Sequence, residues 1–480
     1  METPARQAKE DSPLPPTAQA AANKLLDGPV LHTLLSLAWP NAIAFSAGTL
    51  VAIAETSYIG QLGVESLAAM ALVFPCVMLT MSVSGAAMGG GVSSAIARAL
   101  GAGDRDRAES LATHALLIAI FFGLVFMLGM QIGGRQLLQL LGGRGDVLAQ
   151  AIAYSEIYFG GAVLTWLVNI LASILRGTGN MKLPSMMIVN SAICQTILGG
   201  TLGLGLGPVP QFGMPGVATG SLIAYSINIA IMAWYLFSGR SRIAPRLRGF
   251  RMQWPLFVDI LKVGMVACLS PLQNTLTNLI FTHMLAVFGT AVLAAYGIGA
   301  RLEYVLATIA FSVGIGSVPM IGVAVGAGRI PRARRVAWTT GLVALVVVGG
   351  LASAVALFPD PWVSLFTDNA EAHAASRQYL RTVAPFYAFI GLASAMYFSS
   401  QGAGNVLGPV LAQTARLLFI ILGGWYLTSQ AATAESFFML TAASMILLGL
   451  LSCVAVALTR WGPRMTGAKG SLSLANAADK

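Results

Sequence analysis

RGTGNMKLP at Arg176–Pro184 returns 225 residues later as QGAGNVLGP at Gln401–Pro409, with Gly177, Gly179, Asn180 and Pro184 answered by Gly402, Gly404, Asn405 and Pro409. The register holds elsewhere. LGAGDRDRA from Leu100 recurs as VGAGRIPRA from Val325 at the same offset, and GVESLAA from Gly63 recurs as GTAVLAA from Gly289 at an offset of 226. Chance matches do not keep one register over such a length, so the chain is a tandem repeat of two halves. The repeated glycines read as turns and helix C-caps, where backbone freedom is needed. They mark architecture, not a binding site.

Each half is built to lie in lipid. Of 480 residues, 56% are hydrophobic and 10% charged, where soluble domains carry about 25% charged residues. Apolar segments long enough to cross a hydrocarbon core of roughly 30 Å recur along the chain. Twelve are read, near 31–59, 66–96, 110–131, 151–175, 184–205, 215–238, 256–288, 291–325, 336–358, 378–400, 406–428 and 435–459. Helices satisfy their own backbone hydrogen bonds in lipid and no alternating strand pattern is present, so the expected class is an all-α integral membrane protein with twelve transmembrane helices in two six-helix, pseudo-symmetric lobes. Residues 30–238 form the first lobe and 256–459 the second, joined by a basic connector at 239–255. The ends, 1–29 and 460–480, read as tails, the first disordered and without the pattern of a cleaved signal peptide. An even number of spans per half makes the repeats parallel, related by an axis along the membrane normal. Cys76, Cys194, Cys268 and Cys453 all sit in apolar segments and read as free thiols.

Orientation follows from the basic residues, which short cytoplasmic loops retain. Arg6, Lys9, Lys24, Arg98, Arg105, Arg107, Arg176, Lys182, five arginines between 240 and 251, four between 329 and 335, and Arg460, Arg464, Lys469 and Lys480 share one side. That is 21 against four on the other, Arg135, Arg144, Arg377 and Arg381. Both termini are expected in the cytoplasm and the chain in a bacterial-type inner membrane. Loops lying on anionic lipid account for the net charge of +10 without any nucleic-acid partner.

GxxxLAA after the first helix of each half, GAG followed by basic residues after the second, and GxGN after the fourth resemble the multidrug and toxic compound extrusion (MATE) transporters over about residues 30 to 460. The resemblance implies a V-shaped pair of lobes that exports organic cations or other amphipathic compounds in exchange for protons or sodium ions. In members coupled through the amino-terminal lobe, the first helix carries an Asp before an aromatic-Gly-Leu-Gly type ending. Glu55, followed by TSYIGQLG, resembles that position with Glu for Asp. The fifth helix of the family often reads Asn-x-x-x-Asp; here Asn190 is present, but Cys194 stands where the Asp would be and Gln195 follows. The acids that another branch uses in its seventh and tenth helices are missing from SPLQNTLTNLIFTHML and YAFIGLASAMYFSS.

A carboxylate in hydrocarbon must face a wet cavity, find a partner or take up a proton. A site that titrates and faces one side at a time is the minimum for antiport. Alternatively, Glu55 simply reaches the outer headgroups at the end of a long span. Glu55 maps onto Phe281 in the second half, so the acid belongs to what distinguishes the first lobe. Asn190 is its expected companion in cation coupling, and Asn169, Gln195 and Thr196 lie in spans of the same lobe and can supply neutral oxygens and donors, although each equally reads as a helix-helix hydrogen bond. Sodium needs about six oxygens, a proton only one titrating group. Proton coupling is therefore preferred, with no resident cofactor or metal.

In the second lobe Arg301, Glu303 and Arg416 are intramembrane charges. Arg301 and Glu303 are two residues apart and share no helical face. Pairing of Glu303 with Arg416 of another span or with Arg301 would neutralise them, and a cavity-lining role stands equal to it. Asp259 and Lys262 read as interfacial. Met186, with Met187, can line a cavity for flexible apolar drugs. Gly85/Gly89 and Gly322/Gly326 have the spacing for close helix packing.

Other classes fare worse. A flippase for a lipid-linked or amphipathic substrate is the alternative within the same superfamily, but twelve spans and few intramembrane cations argue against it. An enzyme would need a constellation; no HExxH occurs and the four histidines are scattered. A channel does not call for one asymmetric acid. A monomer acting on a small molecule is expected.

Overall fold

The computed structural model describes residues 25–245, 251–459 and 461–462, so most of both tails and the centre of the connector lie outside the described residues. The chain is all-helical there and forms twelve spans. The first six are α1 (Val30–Gln61), α2 (Val64–Gly101), α3 (Arg105–Leu140), α4 (Gly145–Gly160 with Ala162–Gly177), α5 (Lys182–Leu204) and α6 (Gly213–Phe237). The second six are α7 (Trp254–Ala286), α8 (Thr290–Gly326), α9 (Ile330–Leu357), α10 (Ala370–Gly402), α11 (Leu407–Ser429) and α12 (Ala434–Leu458). α4 differs from its reading as one straight span: its two parts meet at 49°. The break falls at Gly160–Gly161, where the Leu222 side chain of α6 occupies the space a Cβ on Gly161 would need. The outer faces are apolar in a repeating way. Leu117 and Phe121 of α3 are exposed, and so are their repeat mates Leu342 and Val346 of α9, as the lipid-facing side of a membrane helix requires.

The repeat seen in the sequence is a repeat of backbone geometry. Gly63 and Gly289, Gly103 and Gly328, and Gly179 and Gly404 all have positive φ, between 73° and 122°. The same pairing governs packing between the lobes. A methyl group on Gly101 of α2 would strike the Val323 carbonyl of α8, and one on Gly326 of α8 would strike the Arg98 carbonyl of α2. Arg98 and Val323 are themselves repeat mates, so the two contacts are one contact seen from both sides. Ala97 lies against Gly322, its own repeat mate, which places the pseudo-two-fold axis between them.

The offset itself changes for a structural reason. It is 226 at Gly63 and 225 from Gly101 onward, so α2 holds one residue more than α8. Residues Ser82–Met88 of α2 form a π-helix, the form a helix adopts to absorb a single extra residue. The equivalent stretch of α8 lies within an uninterrupted α-helix.

The lobes converge at the end that carries the described chain termini. There the inner half of α2, Gly89–Gly101, packs on α7, α8 and α10 of the other lobe as well as on α3 and α4 of its own, whereas its outer half, Val64–Met81, packs on α1, α3 and α4. The result is a V, closed at the basic end. Because Gly404 has φ +81° and a Cβ there would also press on the Arg98 guanidinium, whereas one on Gly328 meets open space, Gly404→Ala should cost more than Gly328→Ala. The left-handed backbone alone costs an alanine about 1–2 kcal/mol. Thermal unfolding of the detergent-solubilised variants should rank them in that order.

Candidate functional site: two intramembrane acids and a closed floor

Glu55 lies in the outer half of α1, half-buried and turned into its lobe. Gln195 of α5 donates its amide N–H to Glu55 Oε1. One turn along α1, Tyr58 lies beside the carboxylate, and with Tyr154 and Tyr158 of α4 and Tyr225 of α6 it forms a group of buried phenols within electrostatic reach of it. The Tyr154 and Tyr158 rings stack with centroids 5.7 Å apart. Gly199 and Gly200 of α5 make room for Tyr58; a Cβ on Gly199 would come within 2.8 Å of its hydroxyl. A carboxylate so placed exchanges part of its water for one amide in a surround of buried rings, which suits a group that alternates between charged and neutral.

The other first-lobe residues singled out from sequence are distributed differently. Asn190 donates to Asn228 Oδ1 at 2.7 Å, and Asn228 in turn donates to the Met187 carbonyl at 2.9 Å and to Ser191 Oγ at 2.8 Å, so this group fastens α5 to α6. Asn169 of α4 donates to Ser84 Oγ at 2.9 Å and to the Thr165 carbonyl at 3.1 Å, gripping the π-helical turn of α2. Thr196 is half-buried beside Gln195. Met186 is exposed on a face of α5 shared with Ile193 and Ile197, while Met187 is buried in the core. The tyrosines and Asn228 escape a search for charged or amide-rich stretches; the available signal was that Tyr154 recurs as Tyr379 at the repeat offset.

In the second lobe Glu303 of α8 faces Arg416 of α11 electrostatically without closing to ion-pair contact, among Tyr296, Tyr379 and Tyr387. Arg416 is 5% exposed and its Nε donates to Ser444 Oγ at 3.4 Å, and Tyr387 donates to the Gly299 carbonyl at 2.9 Å. Arg301 points elsewhere and lies over the Phe366 ring, 5.1 Å from its centroid. Each lobe thus has an acid with tyrosines around it, at positions that the repeat does not equate: Glu55 maps to Phe281, and Glu303 to Met78 by the 225 offset or Val77 by 226.

Between the lobes, the basic end is shut by charge. Asp259 of α7 accepts from Arg98 Nη2 of α2 at 3.1 Å, from Arg107 Nη2 of α3 at 2.9 Å and from Lys262 Nζ at 2.6 Å. Asp259 and Lys262, read from sequence as interfacial, lie where α7 meets the first lobe, with Lys262 half exposed. Arg332, the repeat mate of Arg107, makes the reciprocal strap, donating to the Leu25 and Gly28 carbonyls ahead of α1 at 3.0 and 2.8 Å. Above this lies a small cavity of ≈ 20 Å³ lined by Gly85, Gly89, Gly90, Ser93, Ser173, Arg176 and Gln401, among others. Gln401 of α10 roofs its side, donating to the Ala86 and Ala87 carbonyls of α2 at 3.0 and 3.1 Å.

Comparison with known proteins matches the MatE family model twice, over residues 40–200 and 267–426, once in each half. The chain belongs to the MatE family. Among similar proteins is an FAD transporter of Shewanella oneidensis, 27% identical over 402 residues, which cover 83% of this chain and 88% of that one. A probable multidrug resistance protein NorM of Thermotoga maritima is 23% identical over 384 residues, 79% of this chain and 81% of its own. Among solved structures, a MOP superfamily transporter from Pyrococcus furiosus superposes with a TM-score of 0.85 at 21% identity over 93% of this chain and 98% of its own. An outward-facing multidrug resistance MATE family transporter gives 0.84 at 22% over the same shares. These superpositions concern the fold: the two-lobed, V-shaped MATE architecture that the short motifs implied is the architecture present. MATE proteins are transporters, and the paired intramembrane acids, the lobe boundary and its charged closure are read below as parts of one.

Proposed function

We propose that this MATE protein is an ion-coupled antiporter that exports organic cations or amphipathic drugs by alternating access, with Glu55 as the coupling group and a proton as the coupling ion. The observation that carries the reading is the Glu55 carboxylate, half-buried and turned into one lobe, bonded by the Gln195 amide with buried phenols nearby, and with no arginine or lysine bonded to it among the described residues. Its counterpart in the other lobe already faces a cation, Arg416, and is the weaker candidate for exchange. Sodium would require several further oxygens, which the companions of Glu55 supply thinly, since Asn190 is engaged by Asn228. The closed basic end is the cytoplasmic end in this reading, which puts both termini in the cytoplasm of a cell whose inner membrane holds the protein as a monomer. The relatives named for multidrug resistance and for FAD support a small-molecule substrate.

Ethidium efflux from proteoliposomes, driven separately by a pH gradient and by a sodium gradient at equal pH, tests it. The pH gradient should drive efflux and the sodium gradient should not. Efflux with sodium alone would reassign the ion, and no response to either gradient would overturn coupled export.

A further inference from the structure

The floor of the cleft holds a cation that no described residue answers. Arg176, at the inner end of α4, is 8% exposed, its side chain forms no hydrogen bond or ion pair with a described residue, and its Nε is fully buried without a partner. Its side chain lines the ≈ 20 Å³ cavity between the lobes, and no carboxylate lines that cavity with it. Two more polar atoms there are buried and unpartnered, Ser93 Oγ and Gln401 Oε1. A guanidinium keeps its charge at any physiological pH and only donates. Buried charges in proteins are otherwise paired, because an unpaired one forfeits its hydration.

The repeat shows that the fold does not require this charge. The mate of Arg176 is Gln401, at the same place in the other lobe, where a neutral amide closes onto the Ala86 and Ala87 carbonyls. Neither the fold nor a described residue therefore accounts for the arginine. We propose that Arg176 is the subsite for an anionic oxyacid group, phosphate, sulfonate or carboxylate, carried by an otherwise apolar or aromatic substrate, a reading that rests on the export function above and narrows its substrate class. In the closed arrangement the cavity has room for about one water. The group enters when the lobes part at the basic end, which withdraws Gln401 and uncovers the guanidinium to that side. Ser93 stands beside it as a hydroxyl unbonded among the described residues; Ser173, whose hydroxyl donates to the Asn169 carbonyl at 2.8 Å, covers Gly89, and Gln401 covers Gly90 in the closed form. Reading Arg176 as a loop residue from sequence misses this, because the arginine sits one residue before the glycine turn and yet faces inward.

The test is equilibrium binding to purified protein in phosphatidylcholine nanodiscs, using two fluorescent pairs that differ by an acid group: riboflavin 5′-phosphate against riboflavin, and anilinonaphthalene sulfonate against phenylnaphthylamine. The parent should prefer the charged member by about tenfold or more, the worth of one strong charged hydrogen-bond set. Arg176→Gln, which copies the mate residue, should erase the preference by weakening the charged member alone, and Arg176→Lys should restore part of it. An equal loss for both members would make Arg176 structural, and no Arg176-dependent preference in either pair would overturn the proposal. So would inorganic phosphate binding as tightly as the flavin phosphate, which marks a free-ion site, or displacement by added phosphatidylglycerol that Arg176→Gln abolishes, which marks a lipid headgroup site. Failure of export itself would show separately, as absence of any gradient-driven movement of ethidium or of these probes, whatever the binding shows.

Discussion

Glu55→Gln is expected to reduce proton-driven accumulation to none while ethidium binding stays within about two- to threefold. A pH difference of two units supplies about 2.7 kcal/mol per proton, enough to hold a roughly 100-fold gradient of a monocation exchanged one for one. The amide keeps the size of the side chain and a hydrogen bond to Gln195, so packing against Tyr58 is preserved while titration is lost. The measurement is the steady-state ethidium ratio across proteoliposome membranes, expected near 100 for the parent and near 1 for the variant. An unchanged ratio would make Glu55 an interfacial residue and move the coupling to Glu303 and Arg416, whose lobe would then have to separate them on protonation.

The second large effect belongs to Asp259. Among the described residues it is the carboxylate paired with Arg98 and Arg107 across the lobe boundary and with Lys262 of its own helix, so Asp259→Asn leaves three cations to repel one another. Breaking a buried pair costs about 3–5 kcal/mol, but Arg107 and Lys262 are half in water, where screening trims their share to well under 1 kcal/mol each. A net loss of about 2–3 kcal/mol in the closed form would shift the closed-to-open ratio by roughly 30- to 150-fold. Spin labels on the basic ends of α3 and α9 should report a longer distance in the variant, and efflux should fall with it. Adding Arg98→Gln to Asp259→Asn should bring the distance part of the way back, since the buried member of the unanswered cations is gone. A distance distribution that stays as in the parent would mean that glycine packing between α2 and α8 holds the end shut without help from charge.

The repeat and the hydropathy made the fold legible: a fixed offset, an even number of spans and the side-switching of arginines leave one topology. What escaped was set by tertiary contact. The bend in α4 depends on Leu222 of a different helix meeting Gly161, and no window of sequence holds both. Within the Glu55 site, Gln195 was identifiable as a neighbour in the same lobe, whereas Asn190 reads equally well and is turned to α6 by Asn228. Arg176 was counted with the cytoplasmic loops because a charge next to a glycine turn ordinarily lies in water. Its burial is a property of how the two lobes close, which a single-lobe reading does not contain.

The π-helical turn of α2 has a further meaning as a record of descent. If the two halves began as copies of one six-helix unit, one of them has gained a single codon in this helix. An extra residue turns everything on its outer side by about 100° relative to the inner side. The inner ends, where Ala97 meets Gly322 and Gly101 meets Val323, keep the ancestral match, while the outer half of α2 presents a different set of side chains to α1 and α4 than α8 presents to α7 and α10. One codon is a small change for a gene and a large one for a symmetric machine: it frees the outer half of one copy's second helix from the pattern of its mate while the contacts between the lobes at Ala97–Gly322 and Gly101–Val323 stay matched.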